Sequence, residues 1–239
     1  MRVVPPRCFV PALVALLTLA AGFADAGALA LPSRIPAPDR VKLQEVTDGA
    51  ALAARVEAPP FPARRDVFEY LLDHPEFATH VTRALKLARY RIWRTPDGLH
   101  LDDGWGAKGR LEIVHAAPGI RAMLLRGIFE QRILPDIKGD AVVIIEYGAR
   151  QDARGRGTID AAVSGYVKID NAMFALASRL ASAVAVDKAE LEARRLVRVF
   201  ARTTHAIDDN PAEVYEKIRQ RTDVPAADLD GFRRLLGLP

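Results

Sequence analysis

The chain has 239 residues, 50% of them hydrophobic and 27% charged, enough apolar content for one full core and too much for a disordered chain. A net charge of +4 with both signs mixed argues against nucleic acid, which asks for a concentrated basic patch, and leaves room for an anionic surface. The single cysteine, Cys8, excludes a disulfide framework, and its place in the leader described next leaves the exported chain without a thiolate nucleophile or a cysteine–zinc site.

Arg2 and Arg7 precede an apolar run from Phe9 to Ala24. Ala24–Asp25–Ala26 fits a small-x-small cleavage rule, and Ala28–Leu29–Ala30 offers a second option. The pattern predicts a secretory signal peptide over residues 1–26. It places the protein in the bacterial periplasm or outside the cell, or anchored to the membrane if the leader is retained.

Residues 27–50 read as a linker, extended through Leu31–Arg40 by Pro32, Pro36 and Pro38. Ala51–Ala58 alternates weakly and predicts a first strand. A helix is expected over Ala63–Leu72, with Val67, Phe68, Leu71 and Leu72 on one stripe. Pro75 disfavours a helical His74 and suits the first turn of a second helix, on which Phe77, Val81, Ala84 and Leu85 share a face. From Leu87 to Ile169 the period changes to two, in about six consecutive segments with short connections. That is an antiparallel meander. The next stretch, about thirty-five residues from Asn171 to Ile207, has neither glycine nor proline and reads as one long helix. Asn210, Pro211 and Glu213 then predict a capped helix start, and Gly237 a helix stop, so residues 208–239 form a two-helix tail, expected as an appendage to the domain.

Few residues suggest chemistry. His74 and His80 stand roughly 120° apart on a helical wheel, and zinc pairs need a common face. Asp102 and Asp103 are neighbours on a strand and point to opposite faces. Lys188, Arg195, Arg198 and Arg202 lie along one side of the long helix, a solvated face or a contact for anionic headgroups. If the charged residues of the strands face outward, parity turns Tyr90, Ile92, Ile113, His115, Met123, Leu125, Phe129, Val143, Ile145, Tyr147, Val163 and Val167 inward. Trp105 sits at the mouth of that face. On the long helix Met173, Ala177, Leu180 and Val184 form the facing stripe, with small residues between larger ones. A bulge would shift these assignments.

The stretches "RRDVFEYLLDHPEFATHV", "RGIFEQRILPDIKGDAVVIIEYG" and "NAMFALASRLASAVAV" carry a resemblance. In that order the chain resembles the START-like superfamily, the helix-grip or polyketide-cyclase and lipid-transport group, over residues 51–207. The resemblance implies an α+β helix-grip fold: a curved antiparallel sheet of six to seven strands around a long C-terminal helix. It implies a cavity for an apolar ligand, most often a lipid, and no metal or redox cofactor. The inward residues above and the helix stripe are then the expected ligand-binding set. Two other readings stay open: a cyclase or dehydratase using His115, Tyr90 or Tyr147 in acid–base roles, and a protein-interaction module with a filled core.

Overall fold

Alternating strands joined by short turns can pair only with their neighbours in sequence, and from Arg91 onward they do. β1 (Leu52–Glu57), β2 (Phe61–Pro62), β3 (Arg91–Thr95), β4 (Gly98–Asp102), β5 (Ala107–Ala117), β6 (Ile120–Phe129), β7 (Ile137–Gln151) and β8 (Gly157–Ile169) form one eight-stranded antiparallel sheet. Its order is β1-β8-β7-β6-β5-β4-β3, with β2 also on β8. The structure is a computed structural model that describes residues 29–104, 106–130, 136–151, 153, 156–170 and 184–239, with backbone alone for residues 184–192. The expected leader and residues 171–183 of the expected long helix lie outside the described residues.

The sheet is open and not strongly curled, with β1 and β3 at its edges. Register assigns each residue to a face. Leu111, Leu125, Ala141, Val167 and Leu52 lie in one cross-strand row, and Ile113, Met123, Val143, Gly165 and Ala54 in the next. Both rows belong to the face that meets the helices α2 (Arg65–Asp73), α3 (Pro75–Ala84) and α4 (Val184–Asp209), called here the inner face. Phe68 and Leu72 of α2 and Val197 of α4 pack on Ile145, Tyr147 and Val163. α3 is tied to β3 through Thr79, whose hydroxyl accepts the Ile92 N–H at 3.3 Å.

His74 separates α2 from α3 with φ −121° and ψ 65°, outside the helical region, and Pro75 opens α3. The amide of His74 still closes α2 on Tyr70, and its carbonyl still opens α3 to Ala78, both at 2.9 Å. The proline thus changes the helix direction at the loss of little hydrogen bonding.

Two expectations need correction. The stretch read as a linker contains a helix, α1 (Ala37–Thr47), which packs on the outer face of β5–β8. Leu43 and Val46 of α1, with Ile35 before it, are buried against Leu124, Val142, Ile144 and Tyr166. The charged residues read as outward are the sockets for this helix: Lys42 pairs with Glu112, Glu45 with Arg126, and Arg34 with Glu146.

The tail is no appendage. α5 (Pro211–Arg219) and α6 (Ala226–Leu236) share a core with α2 and α3, where Phe77, Ile218 and Phe232 are fully buried. Asn210 caps α5 by accepting the Glu213 N–H at 3.2 Å, while its own side-chain amide donates to the Glu213 carboxylate at 2.9 Å. Gly237 ends α6 at φ 68°, the left-handed conformation a helix stop asks for.

Candidate functional site

Three glycines stand side by side across the inner face: Gly109 on β5, Gly127 on β6 and Gly139 on β7. A Cβ at Gly127 would lie 2.2 Å from the carbonyl oxygen of Lys108, and one at Gly139 2.5 Å from that of Lys168. Only glycine lets these backbones approach so closely. The row leaves a strip of inner face without side chains, flanked by Leu125, Phe129, Ile137, Ala141 and Val167. A cavity of about 130 Å³ opens over this strip, and its lining is almost wholly apolar.

The expected ligand-binding residues divide over several places. Leu125, Phe129, Val143 and Val167 line the cavity. Ile92, Ile113 and Met123 pack beside it with Leu99 and Leu111. Ile145, Tyr147 and Val163 lie on the same face under α2 and α4, away from the cavity. Trp105, Met173, Ala177 and Leu180 fall outside the described residues, and Val184 opens α4.

His115 is on the opposite face. Register shifts between Ile113 and His115, so His115 faces Ala122 and the outer side. Its Nδ1 lies 2.9 Å from Oδ2 of Asp39 on α1, and its Nε2 is buried without a hydrogen bond. The bulge adds Val114 to the strand and turns every later β5 side chain over.

Neither tyrosine is placed for acid–base work. Tyr90 is half-buried as a residue, but its hydroxyl is deep, and burial pushes its pKa up to about 12. Tyr147 donates to Glu69 at 3.0 Å and accepts from Arg121 at 3.1 Å. Burial, then the bond to Glu69, raises its pKa. His115, Tyr90 and Tyr147 do not converge on a common point.

Arg121 is a residue that sequence reasoning missed. It is 6% exposed on the inner face and binds Asp73 at the end of α2 through two bonds, Nε at 2.6 Å and Nη2 at 3.0 Å. Its remaining donor, Nη1, meets the carbonyls of Ala117 and Ile120 and the Tyr147 hydroxyl. All three guanidinium nitrogens are engaged, so Arg121 locks α2 to the β5–β6 turn. Arg121 shares strand parity with Met123, and an arginine on the inward side of β6 was the legible signal.

Among the described residues no group of His, Cys, Asp and Glu could hold a metal ion, and no helix is long and apolar enough to cross a membrane.

No protein-family model matches the chain, and no curated protein does. Among solved structures, the chain is similar to the crystal structure of a hypothetical protein from Helicobacter pylori, with 12% sequence identity and a TM-score of 0.38. The likeness covers 64% of this chain and 86% of that one. At that score it assigns no family.

Proposed function

We propose that this chain binds a hydrophobic small molecule, with a lipid as the best candidate, by seating part of it in the apolar cavity on the inner face of the sheet. The observation that carries this reading is the apolar cavity over the Gly109–Gly127–Gly139 strip. Preformed apolar cavities are the usual small-molecule sites. The drive is desolvation, at roughly 25 cal/mol per Å² of apolar surface buried.

The volume limits what enters. An apolar cavity of about 150 Å³ takes a benzene ring, so 130 Å³ holds one ring or the end of an acyl chain. The rest of the ligand lies outside the cavity. The order of elements supports a START-like helix-grip domain as the scaffold, with α4 as its closing helix. The leader pattern supports a periplasmic or secreted setting.

The test is extraction of the purified protein with organic solvent and mass spectrometry of the extract. A single class of apolar molecule is expected from the wild type. Ala141→Phe, which fills the cavity from its half-buried wall, is expected to lower its amount about tenfold. An extract with no apolar molecule, or an undiminished load in the Ala141→Phe variant, overturns the proposal.

A further inference from the structure

The outer face of the sheet carries cationic side chains that form no ion pair among the described residues. α1 occupies this face over β5–β8. On β3, β4 and the adjoining end of β5 the same face presents Arg91 and Trp93, then His100, then Arg110. Arg91, Trp93 and Arg110 are exposed, and Trp93, at 38%, is one of the two exposed large hydrophobic residues among those described. Lys138 on β7 is exposed on this face as well.

Acids stand nearby, but among the described residues none forms an ion pair with Arg91, Arg110 or Lys138. Asp102, opposite Arg91, accepts the Gly104 N–H at 2.7 Å and keeps its charge. Glu130 holds Lys108, and Glu112 holds Lys42. Asp97 takes the Thr95 hydroxyl and His100, which hold its carboxyl below the ordinary range. Arg110 donates to the backbone carbonyl of Asp97, which removes none of its charge. Arg91, Arg110 and Lys138 thus have no carboxylate partner among the described residues.

We propose that this Arg91–Trp93–Arg110 face docks the protein on an anionic lipid bilayer. The chemistry is that of a membrane interface: an indole whose ring is apolar and whose N–H is polar, surrounded by cations. The indole is positioned in advance, stacked on His100 at 5.7 Å and 23° with the Arg91 guanidinium 5.8 Å from its centre. His100 takes one face of the indole, and single-stranded nucleic acid is read by stacking bases on free aromatic faces in a concentrated basic groove, which the mixed charge of this face does not make. The docking face is opposite the cavity face, so the two sites are separable by mutation.

The test is co-sedimentation of the purified protein with vesicles of phosphatidylcholine, with and without phosphatidylglycerol. Wild type is expected to bind the anionic vesicles more tightly and to lose that preference in high salt. Near an anionic surface each cation is worth about a fivefold change in binding. Arg91→Glu and Arg110→Glu should each lower the affinity by at least that much, and Trp93→Ala should lower it with the salt dependence unchanged. Lys138→Glu gives an independent variant should Arg110→Glu not fold, as judged by circular dichroism. Variants that partition like wild type overturn the proposal. So does a short single-stranded oligonucleotide that displaces the protein from anionic vesicles through the same residues. A lipid load that stays at the wild-type level in these variants keeps the result independent of the cavity.

Discussion

At the scale of single residues, glycine decides more here than any ionisable group. Gly127 sits where a Cβ would meet the Lys108 carbonyl oxygen at 2.2 Å and the Gly109 Cα at 2.8 Å, both backbone atoms that cannot swing away. Gly148, further along the same sheet, has nothing within 4 Å of the same position. Gly127→Ala is therefore expected to cost about 1–3 kcal/mol, the range for forcing extra volume into a packed site. Gly148→Ala should be neutral or stabilising by about 0.5 kcal/mol, through the unfolded chain. Urea denaturation of the two variants checks the contrast, and equal midpoints would remove the glycine strip as a constraint on the sheet.

At the scale of elements, the helices outside the expected grip have the clearest consequences. α1 rests on the sheet through few apolar residues and several ion pairs. The Lys42–Glu112 and Arg126–Glu45 pairs are exposed and contribute little. Leu43 is fully buried and dominates. Leu43→Ala is expected to cost about 3 kcal/mol, while high salt leaves stability nearly unchanged; a thermal melt in low and high salt measures both.

The tail helices meet α3 at His80. Burial lowers the pKa of this histidine from its ordinary 6.5, and Asp223 opposes the shift without reversing it. The unfolded chain then binds the proton more readily than the folded one. Stability is complete above 6.5 and is lost as pH falls from there through the lower folded value. The urea midpoint of wild type should drop across that window, beyond any change from carboxylates, and His80→Gln should flatten the drop. A wild-type profile that stays level there means that His80 does not titrate against folding.

At the scale of the molecule, the sequence was legible where one face of a strand is buried and the other charged. Arg126, Glu146 and Lys168 marked the outer side of β6, β7 and β8, and the residues between them fall on the inner face as alternation requires. Alternation failed at His115 because the bulge at Val114 adds a residue with no periodic signature of its own. α1 was missed for a different reason. Prolines precede it, and Leu43 and Val46 are its only buried residues, too few to make a stripe. The fit of the tail was hidden because Ile218 and Phe232 find partners on α2 and α3, which lie well over a hundred residues earlier. The cavity could be located to a face but not to a place on it, since its floor is made by glycines, which carry no hydropathy signal.

The pairing of the first strand with the last has a kinetic consequence. β1 has no strand partner other than β8: Leu52 lies opposite Val167 and Glu57 opposite Ala162. The segment before it is held by equally distant groups, with the Leu29 carbonyl accepting the Tyr166 hydroxyl at 2.8 Å and Arg34 bound to Glu146 at 3.2 Å. A chain that emerges from its N-terminus must hold its first strand and first helix unpaired until β8 has followed. Contacts so far apart in sequence form slowly. The meander β3–β7 has only local pairings and can assemble first, so the N-terminal segment is the last piece to dock.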